Sequence, residues 1–96
     1  MKMKKLRIHG GRWFSRNAGN TYHVALITVD DEVTLKVGEQ YGYGDQYLES
    51  AKQVLIANGY DVPDWFTYSG LREAGIDYEY TVTDFDKRRD MRAFVA

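Results

Sequence analysis

Apolar and polar residues alternate along this chain with two different periods, and the change of period divides it into elements. Lys5 to His9 alternates strictly, with Leu6 and Ile8 pointing one way and Lys5, Arg7 and His9 the other, which predicts a half-buried strand. Gly10 and Gly11 are then expected to bend or bulge that strand. Ser15 to Asn20, with Asn17, Gly19 and Asn20, reads as a loop. Thr21 to Val29 is nearly all apolar or β-branched, the pattern of a central strand covered on both faces. Asp30 and Asp31 make a turn into Glu32 to Gly38, where Val33, Leu35 and Val37 alternate with Glu32, Thr34 and Lys36. This predicts a hairpin partner with one wet face.

From Asp45 onward the period lengthens. Tyr47, Leu48, Ala51, Val54 and Leu55 recur on one face of a helix expected from Asp45 to Ala57, with Asn58-Gly59 as its left-handed stop. Asp45 is either the N-cap or a first-turn carboxylate favoured by the exposed amides and the helix dipole. Asp61 to Asp64 is a turn around Pro63, and Ser69 to Ala74 is a candidate short helix. Ile76 to Thr83 alternates again, with Ile76, Tyr78, Tyr80 and Val82 on one side, predicting a fourth strand. The tail from Asp84 to Ala96 either closes with a turn of helix or extends that strand. The order β-β-β-α-(short α)-β predicts an α+β fold, an antiparallel sheet of about four strands with one main helix packed on one face. Since one helix covers one face, the second face is expected to be polar or to meet another molecule.

Composition narrows the class. Ninety-six residues, 44% hydrophobic and 28% charged, fit a single folded domain spanning 1–96 rather than a disordered chain. The absence of cysteine excludes disulfides, thiolate metal sites and a cysteine nucleophile together. No stretch has the apolar length of a signal peptide core or a membrane span, so a soluble protein without a membrane partner is expected. The 13 basic and 14 acidic residues nearly cancel, but they are segregated. Residues 1–29 carry Lys2, Lys4, Lys5, Arg7, Arg12 and Arg16 with no carboxylate, and the acids fall almost wholly in 30–86. Lys87, Arg88, Arg89 and Arg92 then outnumber Asp90 at the end. If the two termini share a surface, they form a basic patch suited to an acidic partner.

Aromatic residues make up 15% of the chain, and eight of them are tyrosines, which bury area at low entropic cost while keeping a polar tip. In Tyr41-Gly42-Tyr43-Gly44-Asp45-Gln46-Tyr47 the glycines let the chain turn into the helix. Tyr41 and Tyr43 either pack on the sheet or stay exposed as a stacking platform. In Arg12-Trp13-Phe14 with Arg16, one ring is expected in the core and the other near its flanking arginines. The basic run Lys87-Arg88-Arg89 is either a solvated face or the second half of the patch. Partner-binding candidates are therefore Arg7, Arg12, Trp13, Arg16, Tyr41, Tyr43, Lys87, Arg88 and Arg89. Catalytic signals are missing. His9 and His23 are the only histidines, too few for a typical zinc site, and His23 lies in an apolar strand where a packed, satisfied imidazole is expected. There is no nucleophile elbow, and Gly42 and Gly44 lack the lysine and hydroxyl residue of a phosphate loop. Asp84 and Asp86 share one side of a strand but have no base beside them. No catalysis, cofactor or metal is expected.

The pieces Arg12-Trp13-Phe14, Gly19-Asn20-Thr21-Tyr22-His23 and Tyr41 to Leu48, followed by the Asp-rich and Lys/Arg-rich segment Asp84 to Asp90, resemble a pattern in short uncharacterised proteins of bacteriophages and prophages. That resemblance implies a compact accessory in the bacterial cytoplasm that binds a host protein or ribonucleoprotein complex, including inhibitors of CRISPR and other defence systems. It brings no catalytic residues. Two functions follow as expectations. One is a protein-binding accessory that blocks a host machine. The other is a single-stranded nucleic-acid binder in which the basic residues track phosphates while Trp13, Tyr41 or Tyr43 stacks on bases. A net charge of −1 and a pI near 6.1 weigh against the second. A homodimer burying the open sheet face is a third possibility.

Overall fold

The computed structural model describes all 96 residues, and its elements are β1 (Lys5–Ser15), β2 (Asn20–Val29), β3 (Val33–Tyr41), α1 (Gln46–Ala57), α2 (Tyr68–Glu73), β4 (Asp77–Phe85) and α3 (Arg88–Ala93). The fold is α+β, with a four-stranded sheet in the order β3-β2-β1-β4. β1, β2 and β3 form an antiparallel meander, but β4 pairs with β1 in parallel, so the sheet is mixed rather than wholly antiparallel. The reason is the connection. A helical crossover returns the chain to the end from which β3 departed, and the next strand then runs in the same direction as β3 and β1.

Local chemistry accounts for the boundaries. Asp30 and Asp31 both have positive φ, 54° and 58°, and form the centre of a tight turn in which the Glu32 N–H donates to the Val29 carbonyl at 3.0 Å, its twist matching that of the strands. Asp is among the few side chains that tolerate it. The Asp30 carboxylate also accepts the backbone N–H groups of Lys4 and Lys5, each at 2.8 Å, which ties the start of β1 to this turn. Asp45 is the N-cap of α1, although its side chain makes no capping hydrogen bond. Both α1 and α2 end in the same way. After α1 the N–H of Gly59 donates to the Ile56 carbonyl and that of Tyr60 to Leu55. After α2, Gly75 donates to Arg72 and Ile76 to Leu71. Each glycine sits at φ 82°, the left-handed turn that lets the last carbonyls find donors.

Gly10 and Gly11 neither bend nor bulge β1, which pairs without interruption from Leu6 to Ser15. They are there for close approach. A Cβ on Gly10 would lie 2.4 Å from a Tyr47 ring carbon on the helix side, and one on Gly11 would lie 2.9 Å from the Phe85 ring and 3.0 Å from Val24 on the other. The bulge is instead in β3, where Gly38 and Glu39 together oppose Val24.

Two cores result. On the α1 face, Leu6, Ile8, Ala25, Ile27, Tyr47, Ala51, Leu55, Leu71 and Tyr78 belong to one buried cluster. On the opposite face the tail folds back as α3, which touches β1, β2 and β4. Its Met91 is fully buried, as is Val24, and neither belongs to the first cluster. Phe85 packs against Phe94 with centroids 5.6 Å apart. The second face is thus half covered by the chain itself. The uncovered half is polar, with Arg7 bonded to Asp77 and His9 to Thr81 at 2.8 Å.

Candidate functional site

Strand direction assembles the site. β1, β3 and β4 all end, and β2 begins, at the same end of the sheet, so Arg12, Trp13, Arg16, Tyr41, Tyr43, Lys87, Arg88 and Arg89 gather there. Arg7 does not join them. It lies towards the other end of β1, where its guanidinium donates to Asp77 and lies 3.5 Å from Glu79. Lys2 and Lys4 precede β1 at that far end too, so the basic head of the chain is divided between the two ends of the sheet.

Across the near end runs a row of rings. Register places Trp13 beside Tyr22 and Tyr22 beside Tyr41. Trp13 stacks on Tyr22 with centroids 5.9 Å apart and planes at 25°, and Tyr22 meets Tyr41 edge-on at 5.8 Å and 80°. Tyr41 is 65% exposed and Tyr43 74%. Phe14, not Trp13, is the outward ring of the Arg12-Trp13-Phe14 group.

The arginine of α3 completes the row. The Arg88 guanidinium carbon lies 5.9 Å from both the Trp13 and the Tyr22 centroid, within cation–π range. Glu39 holds it there, accepting from Arg88 Nε at 2.8 Å and from a second guanidinium nitrogen, and accepts from Arg92 Nε at 3.0 Å. The Arg88 hydrogen bond, seconded by Arg92, lowers the Glu39 pKa to about 2. Arg12 is likewise committed. Its Nε and Nη2 donate to Asp84 at 2.8 and 3.1 Å, and Nη1 donates to the Gly44 carbonyl at 2.9 Å. This bidentate pair pushes the Asp84 carboxyl below its usual range. Beside it lies a cleft of about 390 Å³ lined by Arg12, Phe14, Arg16, Thr21, Gly44, Asp84, Phe85 and Asp86.

Carboxylates therefore accompany the cations. Arg12, Arg16, Lys87, Arg88, Arg89 and Arg92 stand at this end with Glu39, Asp45, Asp84, Asp86 and Asp90. Six positive charges meet five negative ones, and only Arg16, Lys87 and Arg89 of the cations have no ion-pair partner. The expected basic patch is nearly neutralised.

Tyr22, Glu39 and Arg92 belong to the site although they were not candidates in the sequence. Tyr22 could have been found by counting outward from the Ser15 to Asn20 loop, since that closure sets Trp13 opposite it. Glu39 could not, because the bulge decides which way it points.

His23 supports the site from beneath. It is buried on the α1 face, with Nδ1 3.2 Å from the Gly42 carbonyl oxygen and Nε2 2.7 Å from Ser50 Oγ. A carbonyl can only accept, so Nδ1 carries the proton and Nε2 accepts from the Ser50 hydroxyl. Burial lowers its pKa, partly offset by the Gly42 bond. No group of three or more His, Cys, Asp or Glu side chains is placed to hold a metal ion. No helix is long and apolar enough to cross a membrane. Set against protein-family models, curated proteins and solved structures, the chain matches none of them.

Proposed function

We propose that this chain is a non-catalytic accessory protein that attaches to a host protein or ribonucleoprotein complex in the bacterial cytoplasm and inhibits it, with the aromatic end of the sheet as its contact surface. One observation carries the reading. The row Trp13, Tyr22 and Tyr41 has Arg88 fixed over it by Glu39. Trp, Tyr and Arg are the residue types that dominate binding energy at protein interfaces. Rings and guanidinium already held in place lose little entropy on association. The near balance of charge suits a protein surface better than a phosphate track, which needs cations that are free to release counterions.

The test uses residues that the fold does not need. Tyr41→Ala with Tyr43→Ala should reduce capture of a host complex by the tagged protein by about thirtyfold, the loss of one interface anchor. Arg16→Glu with Arg89→Glu should change it much less. A labelled single-stranded oligonucleotide should not bind at about 50 mM salt. Saturable binding that weakens roughly tenfold or more by about 200 mM would overturn the reading in favour of nucleic acid.

A further inference from the structure

Between α1 and the outer strand β4 lies a second, separate groove of about 340 Å³. Tyr78 and Tyr80 of β4 line it with Phe66 and Tyr68 from the loop and start of α2, and with Asp45, the N-cap of α1, and Glu49 from its first turn. The rings are in mutual contact: Tyr78 and Tyr80 stack with centroids 5.4 Å apart, and Phe66 meets Tyr78 edge-on at 6.0 Å. No lysine or arginine lines this groove, and neither Asp45 nor Glu49 has an ion-pair partner.

Tyr78 adds a polar group to this groove. It is 1% exposed, yet its hydroxyl makes no hydrogen bond within the protein. No buried side-chain nitrogen or oxygen is without a partner, so this oxygen is accessible to solvent, and Tyr78 lines the groove. The site offers aromatic faces, two carboxylates and a partnerless phenol. Aromatic faces and carboxylates together select an organic cation.

We infer that this groove takes an arginine side chain from the protein partner, its guanidinium stacked on the exposed Tyr80 ring and donating to Asp45, Glu49 and the Tyr78 hydroxyl. Arginine suits it better than lysine, because a planar fork can stack and donate at the same time. The chain shows this geometry at the rim, where Arg72 lies 5.4 Å over the Tyr68 ring and its Nη1 donates to the Tyr68 hydroxyl at 3.1 Å. The inference rests on the reading of the chain as a protein-binding module, but on a groove that shares only Asp45 with the end of the sheet described above.

The test is a titration of the ¹⁵N-labelled protein with acetyl-Gly-Arg-Gly-amide, followed by amide shifts. Saturable shifts confined to 45–49, 66–68 and 78–80 are expected, with a dissociation constant on the order of 1 mM for a single side chain. Tyr78→Phe should weaken binding about tenfold while leaving the urea midpoint unchanged, because the lost hydroxyl bonds nothing in the protein. Asp45→Asn with Glu49→Gln should abolish it. The idea fails if the norleucine peptide binds equally well, if methylguanidine binds more tightly than the peptide, or if no saturation occurs by about 20 mM. Tyr41→Ala with Tyr43→Ala should leave this titration unchanged, so failure here and failure of the host-capture experiment are separable.

Discussion

His23 ties β2 to the strand-to-helix connection and to α1 through one imidazole, and its chemistry makes stability depend on pH. Its folded pKa lies below the ordinary 6.5 because burial disfavours the charged ring. Below pH 6.5 the unfolded chain takes up a proton that the folded chain refuses, so stability is complete above that value and falls as pH drops through it. Glu39 acts lower down. Its pKa of about 2, against an ordinary 4.5, means that its contribution is complete above 4.5 and is lost as pH falls towards 2. Asp84, held low by Arg12, adds to this second step. Urea midpoints measured from pH 8 to 3 should therefore fall in two stages. His23→Gln should remove the upper stage and leave the lower, and Glu39→Gln should diminish the lower alone. A profile with the upper stage intact in His23→Gln would show that another group titrates there.

The elements that local sequence determines were legible in it: the hairpin turn at Asp30-Asp31, the helix from Asp45 to Ala57 with its Gly59 stop, and the short helix near Ser69. What depends on distant partners was not. A Gly-Gly pair looks the same whether it bulges a strand or admits a neighbour, and only the folded positions of Tyr47 and Phe85 decide. The parallel pairing of β4 is likewise a property of the crossover and not of Ile76 to Thr83. These distinctions predict opposite effects of one substitution type. Gly10→Ala forces a methyl into the Tyr47 ring and should destabilise by about 1–3 kcal/mol, the range for overpacking a core. Gly38→Ala meets nothing within 4 Å and has no positive φ, so it should stabilise by about 0.5–1 kcal/mol through the unfolded chain. Urea unfolding of both variants checks this, and equal losses would contradict it.

At the scale of the whole molecule, the charge pattern of the chain is undone by register. Parallel pairing sets Lys5 opposite Asp77, Arg7 opposite Glu79 and Arg12 opposite Asp84, so the basic first strand lies along an acidic last one. The cationic tail does return beside Arg12 and Trp13, the juxtaposition of chain ends that the charge pattern led one to expect. The sequence could not show that Glu39 and Asp84 would be waiting there. What holds the tail in place is Met91, which is fully buried while the ion pairs around it are partly exposed. Met91→Ala should therefore cost about 2–5 kcal/mol, the range for emptying a core site. Arg92→Ala should cost about 1 kcal/mol or less. Hydrogen exchange distinguishes loss of α3 from global unfolding: amides of 88–94 should lose protection in Met91→Ala while those of the β1–β2 pairing keep theirs. Arg88 would then leave the Trp13 and Tyr22 rings, so host capture should weaken although Met91 itself faces no partner. Undiminished capture with α3 released would mean that Tyr41 and Tyr43 bind without the arginine, and the contact surface would shrink to the exposed rings.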